Sequence, residues 1–449
     1  RRGTAVGRSE VKPSWSESLA LLGYSFLLWI ATPVLLLKIW WRGRLEPLYR
    51  SAWPERLGYL GRLGVRSGAV WIHAVSLGET RAAGILMHEI RQRRPDLCFV
   101  LTHGTATGRE AGARLLGPSD VQAWQPWDSI ASVERFLDRT RPVALILMET
   151  EVWPNLIDRT RRRGIPVVLA NARMSSRSLA RAARWPRLAR PAYRSLTCVM
   201  AQTEADAQRL QQLGASVQLV SGNLKFDQAI DPAAIDRGHA WRRVAGARRI
   251  VILASSREGE EEALLEQLSK GPQSDVLWLI VPRHPNRFDD VARLSQSYGM
   301  TVSRRSEWPG SSPDERAAHA DVWLGDSVGE MQSYYGSAEL ALLGGSFEPY
   351  GGQNLIEAAA CGCPVIMGPH TYNFAEAAEQ ALALNAAIRV DRLSVALDGV
   401  VRYLASHTLL DEMKQGCHRL VASGRGSAVR QVDAFFGVAG MSTQSRGVS

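Results

Sequence analysis

The sequence predicts an α/β protein with two doubly wound parallel sheets and an N-terminal membrane helix. Three observations lead to this expectation. The chain has 449 residues, about three times a typical domain length, so we expect two domains, each with its own hydrophobic core. Short β-branched or apolar runs alternate with longer amphipathic ones, the pattern of βα units in a parallel sheet. Residues 19–37 contain no charged side chain, which separates this segment from both domains.

The uncharged segment has the length of a membrane-crossing helix. At about 1.5 Å per residue its residues span about 28 Å, close to the hydrocarbon thickness of a bilayer. Trp15 precedes it, and Trp40 and Trp41 follow it, where interfacial aromatic residues belong. We expect a transmembrane anchor at 19–41 after an N-terminal flank at 1–18. A cleaved signal peptide is the less favoured alternative, because the apolar stretch is long and lacks a small-residue cleavage site.

Basic residues orient this helix only weakly, because they lie on both sides of it. The denser group, immediately downstream, favours a cytoplasmic body. The upstream residues are Arg1, Arg2, Arg8 and Lys12, and the downstream residues are Lys38, Arg42 and Arg44.

Two series of strand candidates follow the helix. The first defines a domain at 50–235 and covers residues 69–75, 97–102, 143–148, 166–170 and 196–201. The second defines a domain at 245–440 and covers residues 250–254, 276–281, 322–324, 340–343 and 364–367. Doubly wound sheets bind ligands at the carboxyl ends of their strands, so we expect the functional residues there, facing a central cleft.

The composition and net charge of the chain exclude some classes of protein and indicate an anionic partner. With 45% hydrophobic and 22% charged residues, the chain is neither mostly disordered nor a multi-span membrane protein. The net charge of +10 indicates an anionic partner, which leaves nucleic acid, an acidic membrane or a phosphorylated substrate. The five scattered cysteines lack zinc-site spacing and favour a reducing compartment.

Much of the positive charge is concentrated in one stretch. Residues 151–200 contain eleven arginines and two acidic residues. Arg173, Arg177, Arg181 and Arg184 are three or four positions apart, which predicts one helix face. We interpret it as a docking surface for membrane phosphates or a phosphorylated acceptor. Nucleic acid is less favoured, because no zinc-finger or RNA-recognition motif is present.

Glu79 lies in the sequence HAVSLGE, where the first strand meets a helix. A carboxylate at this position could simply interact with the positive end of the helix dipole. It is also well placed to act as a general base on a substrate hydroxyl at the strand end, with Ser76 and Gly78 in the turn beside it. Both readings stand on the residues alone.

A second acidic group follows the strand that ends at Met148. Glu149 and Glu151 are two positions apart in METEVWPN, just before a probable helix. One could be a helix N-terminal charge and the other a structural hydrogen-bond acceptor; a functional pair is slightly favoured.

The second domain carries candidate phosphate-binding groups at its strand ends. Arg283 and His284 lie in a proline-braced loop, and a guanidinium suits phosphate. A glycine-rich run then leads to a helix with Asn354 and Glu357 on one face of its first turn. Backbone N–H groups of such a turn can hold phosphate, and Glu357 can accept hydrogen bonds from ribose hydroxyls.

Taken together, these motifs resemble the 3-deoxy-D-manno-octulosonic acid (Kdo) transferases of lipopolysaccharide assembly. The resemblance covers nearly the whole chain and rests on HAVSLGE, METEVWPN, NARMSSRS, SGNLKFD, PRHPNRF, GDSVGE, GGSFEPYGGQN and GPHTYNF, together with the apolar N-terminus. It implies a membrane-associated enzyme of the GT-B glycosyltransferase class. The implied reaction is an inverting transfer of Kdo from CMP-Kdo to a lipid A precursor, at the cytoplasmic side of the inner membrane and without a metal ion or other cofactor.

The resemblance also implies residue roles. Glu79 corresponds to the general base, and one of Glu149 and Glu151 is needed near the acceptor. With the arginine surface, the expected acceptor set is Ser76, Gly78, Glu149, Glu151, Arg173 and Arg177. The expected donor set is Lys225, Arg283, His284, Gly329, Glu330, Asn354 and Glu357. Gln353 stands where the family commonly has His, and Ser256-Arg257 where it often has Thr-His, so neither Gln353 nor Arg257 is assigned a ligand contact.

Two other function classes remain as alternatives. Another membrane-associated GT-B enzyme using a UDP-sugar would differ in which nucleotide raises its thermal stability. An inactive, membrane-tethered adaptor would bind lipid vesicles and release no CMP. A dehydrogenase is disfavoured, because no clean GxGxxG follows an early strand.

Overall fold

The computed structural model describes residues 14–44, 46–61, 64, 66–271 and 275–441. The basic residues expected ahead of the apolar helix, and most of the N-terminal flank, lie outside these ranges. The described chain forms two compact units. Unit 1 comprises the residues up to Asp227 together with those from Gly426 onward, and unit 2 comprises Gln228–Arg425.

Unit 1 contains a seven-stranded parallel sheet. Its strands are β1 (Val70–His73), β2 (Phe99–His103), β3 (Val121–Trp124), β4 (Ala144–Met148), β5 (Val167–Ala172), β6 (Cys198–Ala201) and β7 (Val217–Val220). They lie in the order β3-β2-β1-β4-β5-β6-β7. Alternate side chains enter different cores: Val70 and Ile72 pack on one face of the sheet and Trp71 on the other.

Helices cover both faces of this sheet, because both faces are apolar. The helices of unit 1 before Asp227 are α1 (Trp15–Arg42), which packs mainly on other helices rather than on the sheet, α2 (Leu77–Arg93), α3 (Ala106–Ala113), α4 (Ile130–Thr140), α5 (Pro154–Arg162), α6 (Ser176–Ala183), α7 (Pro186–Arg194) and α8 (Glu204–Gln212).

Unit 2 contains a second seven-stranded parallel sheet, in the order β10-β11-β9-β8-β12-β13-β14. Its strands are β8 (Arg249–Ser256), β9 (Val276–Pro282), β10 (Val302–Arg304), β11 (Val322–Leu324), β12 (Leu340–Leu343), β13 (Val365–Met367) and β14 (Ala387–Arg389). Its helices are α9 (Pro232–Val244), α10 (Glu260–Leu268), α11 (Phe288–Ser297), α12 (Glu315–His319), α13 (Met331–Ser337), α14 (Leu355–Ala360), α15 (Ala375–Ala383), α16 (Leu393–Leu404) and α17 (His407–Gly424).

The predicted fold class of two doubly wound parallel sheets is confirmed. Each strand expected from the sequence overlaps a strand of the structure. The strands that the sequence pattern missed are β3, β7, β10 and β14, which are the edge strands of the two sheets. Edge strands are half-exposed and therefore lack the continuous apolar run that marks a central parallel strand.

The last helix, α18 (Ser427–Ala439), belongs to unit 1 although the second domain was expected to extend to residue 440. Val432 and Phe435 are buried in the core that covers one face of the first sheet. The Asp227 carboxylate accepts from the backbone N–H groups of Gly426 and Ala428 at the start of α18. Unit 2 therefore ends at Arg425. The alternation of strands and helices does not indicate which sheet a final helix covers.

Helix α1 contains the segment expected to act as an anchor. Ser14 and Glu17 form a capping box at its start, and Gly43 follows its last residue. The helix is long and apolar enough to cross a membrane, judged by its length and composition.

Candidate functional site

Glu79 lies in the first turn of α2, at the carboxyl end of the first sheet. Ser76 is the N-cap of this helix, and its hydroxyl accepts a hydrogen bond from the Glu79 N–H at 3.4 Å. The Glu79 carboxylate in turn accepts from the backbone N–H groups of Val75 at 2.6 Å and Ser76 at 3.2 Å. Glu79 therefore completes a capping box. The interpretation of Glu79 as a group that stabilises the start of the helix is confirmed.

Helix capping does not account for the electrostatics of Glu79. The residue is only 8% exposed, and burial, together with the charges of Glu151 and Glu149, raises the pKa of its carboxyl to about 8. The hydrogen bonds from Val75 and Ser76 oppose this rise without cancelling it. Perturbation of this size by burial and specific charges is typical of functional carboxyl groups.

Glu149 and Glu151 follow the end of β4, as the sequence indicated. Glu149 has a φ of +53°, in the left-handed region that costs a non-glycine residue free energy and is found most often at functional sites. Burial raises the pKa of Glu151, as does the charge of Glu149. The indole N–H of Trp153 donates to Glu151 at 2.7 Å, which fixes the orientation of this carboxylate.

Lys225, expected among the donor-binding groups, lies in unit 1. Its ammonium group is 3.3 Å from the Glu149 carboxylate, and the Asn171 amide donates to the same oxygen at 3.4 Å. Lys225 thus compensates one charge of the cluster formed by Glu79, Glu149 and Glu151, which we call the acidic cluster.

His73 is a member of this site that sequence reasoning did not single out. The side chain is fully buried at the end of β1, and its Nδ1 lies 2.9 Å from the Thr102 hydroxyl. Its Nε2 lies 3.9 Å from a Glu151 oxygen. Burial lowers the pKa of His73 to about 3, so the imidazole is neutral. The available signal was a histidine within the otherwise apolar run Val70–Val75.

The two arginines of the expected acceptor set are placed differently from each other. Arg173 follows β5, and its backbone N–H donates to the Glu149 carbonyl at 3.2 Å, whereas Arg177 is exposed on α6. The expected single helix face is wrong in part: Arg173 precedes α6, and Arg184 follows its last residue. Pro186 starts a separate helix, α7, so only Arg177 and Arg181 of the four arginines lie within one helix.

The expected phosphate-binding loop of unit 2 follows β9. Arg283 donates its backbone N–H to the Ser256 carbonyl at 3.0 Å, and His284 is exposed beside it. Burial lowers the pKa of His284, as do the charges of Arg257 and Arg283. The Arg257 guanidinium lies 4.2 Å from the centre of the Tyr350 ring. Arg257 also pairs with Glu258 at 3.2 Å, so this end of the second sheet carries charges of both signs.

Glu260, which sequence reasoning also missed, organises the glycine-rich loop. It is 1% exposed, and its carboxylate accepts from the backbone N–H groups of Arg257 at 2.9 Å, Gly345 at 2.7 Å and Phe347 at 3.1 Å. Gly344 is required for close packing here, because a Cβ on it would lie 2.4 Å from the Ser255 carbonyl oxygen. The loop is thus held rigidly against the first turn of α10.

Asn354 and Glu357 lie at the start of α14, as expected. Asn354 is the N-cap residue, and its buried Oδ1 has no hydrogen-bond partner among the described residues. Glu357 accepts from the Gln228 amide at 3.4 Å. Gln353 lies next to Gly345, in the same loop.

Gly329 and Glu330 precede α13. Gly329 has a φ of +90°, a conformation that favours glycine. The Glu330 carboxylate accepts from the Arg305 guanidinium at 2.8 Å, and this guanidinium lies 5.2 Å from the Trp241 ring centre and 5.6 Å from that of Trp308. Arg305, from the turn after the edge strand β10, is a further residue of this region that the sequence did not indicate.

Comparison with known proteins identifies the family. A family model described as 3-deoxy-D-manno-octulosonic-acid transferase matches residues 51–228. The 3-deoxy-D-manno-octulosonic acid transferase of Bordetella pertussis is 42% identical over 436 residues, covering 93% of this chain and 97% of that one. The chain belongs to the Kdo transferase family. It is therefore a glycosyltransferase that transfers Kdo in lipopolysaccharide biosynthesis, and the resemblance seen in the sequence is confirmed.

More distant relatives of this Kdo transferase agree with that assignment and with the fold. The 3-deoxy-D-manno-octulosonic acid transferase of Haemophilus influenzae is 33% identical and covers 91% of this chain and 96% of its own. A glycosyltransferase from Rickettsia africae has the same fold, with a TM-score of 0.55 at 12% identity, covering 83% of this chain and 99% of its own. The expected GT-B-type fold is confirmed.

Proposed function

We propose that the enzyme transfers Kdo from CMP-Kdo to a hydroxyl of a lipid A precursor with inversion, and that Glu79 is the general base. The acidic cluster of unit 1 provides the chemistry for the acceptor. The strand-end loops of unit 2, which carry Arg283 and His284, provide the chemistry for the donor. The observation that carries the proposal is the buried Glu79 carboxyl with its pKa raised to about 8.

The raised pKa suits the proton transfer that the reaction requires. A sugar hydroxyl has a pKa far above 7, so its proton must move to a base as the oxygen attacks the anomeric carbon of Kdo. A carboxylate whose conjugate acid has a pKa near 8 accepts that proton more readily than an ordinary glutamate. Its capping hydrogen bonds from Val75 and Ser76 hold it in place during the transfer.

Leaving-group stabilisation is assigned to unit 2. When the bond between the Kdo anomeric carbon and the CMP phosphate oxygen breaks, the electron pair goes to that oxygen and negative charge accumulates on the phosphate. Arg283, with Arg257 close to His284, supplies positive charge suited to that phosphate, and the neutral His284 imidazole can donate a hydrogen bond to it. Asn354 offers an unpartnered buried oxygen as an acceptor for a donor-substrate hydroxyl or amine. Glu330, Gly329 and Glu357 complete the proposed donor set.

The lipid acceptor accounts for the remaining features of unit 1. Arg173 lies beside Glu149, and Arg177 is on the neighbouring exposed helix, where cations suit the phosphates of a lipid A precursor. We assign α1 the role of membrane attachment, because it exposes a large apolar surface. The cytoplasmic side of the inner membrane is the proposed location, because the denser group of basic residues follows α1.

Incubation of the full chain with CMP-Kdo and a lipid A precursor, followed by mass spectrometry of the lipid, tests the donor, the acceptor and the number of sugars added. The expected product carries one or more Kdo residues, with one CMP released for each. An unchanged lipid would contradict the proposal. A thermal shift caused by UDP and not by CMP would instead favour a UDP-sugar donor.

A further inference from the structure

Helix α1 packs side-on against unit 1 along nearly its whole length. Half-buried side chains recur every three or four residues from Glu17 to Ile39, as in one face of a helix. These residues include Leu21, Tyr24, Ser25, Leu28, Thr32, Leu35 and Ile39. At about 1.5 Å per residue, this packed face is about 33 Å long. It lies on α5, on α7 and on the turn at Pro47–Arg50.

The opposite face of α1 is apolar and exposed. Trp29 is 71% exposed, and the same face carries Leu22, Phe26, Ile30, Val34, Leu37 and Trp41. Trp185, between α6 and α7, is also exposed, at 69%. An apolar patch of this size marks an interaction site, and its tryptophans, with the exposed Arg42 and Arg44 at the end of the helix, fit a leaflet that contains anionic lipids.

Polar contacts fix the middle of the helix to unit 1. The Tyr24 hydroxyl donates to the Asp128 carboxylate at 3.0 Å, and the Ser25 hydroxyl donates to the Asn155 side-chain oxygen at 3.1 Å. Near the start of the helix, Glu17 forms an ion pair with Arg194. Near its end, the Arg50 guanidinium donates to the Trp40 carbonyl at 3.1 Å. The contacts thus extend from one end of α1 to the other.

These contacts conflict with the crossing expected for residues 19–41. If α1 crossed a bilayer, its middle would lie in hydrocarbon about 15 Å below the surface. The α5 helix packed beside Tyr24 and Ser25 ends at the exposed Arg162, and the exposed Arg163 follows it; both would enter the hydrocarbon with it. Charged side chains are strongly disfavoured there.

We propose that α1 is an in-plane membrane helix, with its apolar face in one leaflet and its other face on unit 1. This inference rests on the proposed role of α1 in membrane attachment and specifies its geometry. It also connects the membrane surface to the acidic cluster. Asp128, which binds Tyr24, accepts at the same time from the N–H groups of Asn155 and Leu156. Those residues form the first turn of α5, directly after the segment that carries Glu151.

Cysteine labelling of the two helix ends distinguishes an in-plane helix from a crossing one. Ser16 and Ser51 are both exposed; Ser16 is in the first turn of α1, and Ser51 follows the end of the helix. We expect Ser16→Cys and Ser51→Cys, each in the full chain, to react with a membrane-impermeant maleimide on the same side of the membrane. Both would stay unlabelled in intact spheroplasts and react after permeabilisation. The parent chain, with its native cysteines, provides the background.

Labelling of one end in intact spheroplasts and of the other only after permeabilisation would overturn the proposal. This readout does not depend on catalysis, so it is separate from the test of the proposed reaction.

A second measurement tests the docking contact itself. Tyr24→Phe removes the hydroxyl that Asp128 accepts, and we expect Tm in detergent to fall by about 2–4 °C. Tyr59→Phe, at a residue that is 56% exposed, is the control and should leave Tm unchanged. An unchanged Tm for Tyr24→Phe would overturn the assigned contact.

Discussion

Replacing Glu79 with glutamine separates its capping role from its proposed catalytic role. The capping-box position accepts either glutamate or glutamine, because the amide oxygen can also accept from the N–H groups of Val75 and Ser76. Glu79→Gln therefore keeps the start of α2 intact. It removes the ionisable carboxyl, which is the property that proton transfer requires.

The stability change has a definite sign and pH range. Folding raises the pKa of Glu79 from 4.5 to about 8, so stability from this group is fully present below pH 4.5 and is lost as the pH rises through about 8. At about 1.4 kcal/mol per pH unit, the loss is at most about 5 kcal/mol once the group is ionised in both states. Glu79→Gln does not lose this stability at high pH, because glutamine does not ionise. We expect it to match the parent near pH 4 and to exceed it at pH 9 in denaturant unfolding.

Activity should change in the opposite direction. Removal of a general base lowers turnover by about 10²- to 10⁴-fold, measured as CMP release from CMP-Kdo in the presence of a lipid A precursor. Glu89→Gln, on the same helix where Glu89 pairs with Arg93, is the matched control and should retain activity. Full activity of Glu79→Gln would refute the general-base assignment and leave Glu79 as a helix cap.

Three further predictions concern the same groups. The parent kcat/KM should rise with pH toward a plateau above about 8, as the raised pKa of Glu79 requires; a profile that is flat from pH 6 to 9 would contradict this. Lys225→Met removes the cation 3.3 Å from Glu149, which leaves the acidic cluster more negative. The midpoint of the pH profile should therefore move to higher pH, with little change in KM for CMP-Kdo. A large rise in KM would instead place Lys225 at the donor. Glu260→Ala leaves three backbone N–H donors without their acceptor, and we expect it to cost about 3 kcal/mol and to weaken CMP binding in calorimetry. The exposed neighbour Glu262→Ala should change neither quantity.

Central strands were readable from the sequence because both faces of a central parallel strand are buried. Residues such as Val70–His73 or Ala144–Met148 are buried throughout, so they form short apolar runs. Val217–Val220 and Val302–Arg304 are half-exposed at sheet edges, and their mixed composition resembles that of a loop. The assignment of α18 to unit 1 depends on the core in which Phe435 is buried. The local sequence pattern does not show which core that is.

The sequence revealed those candidate site residues that are ionisable and lie close to the carboxyl end of a predicted strand. Glu149 and Arg283 follow strands directly, and Glu79 lies in the first turn of the helix after β1, so their position at strand ends made them candidates. Glu260 and Asp128 act through contacts with segments far away in the chain, and no local signal reveals such contacts. Spacing of three or four residues likewise did not reveal that Pro186 begins a second helix after Arg184.

The return of α18 to unit 1 has a consequence for biosynthesis. Until the ribosome has synthesised α18, the nascent unit 1 lacks the helix whose Val432 and Phe435 pack in the same core as Leu86 and Ile90. Large apolar side chains in such a position are a common cause of aggregation. Expression of a fragment ending at residue 227 should therefore give insoluble material, and co-production of the missing helix as a separate peptide is the natural remedy.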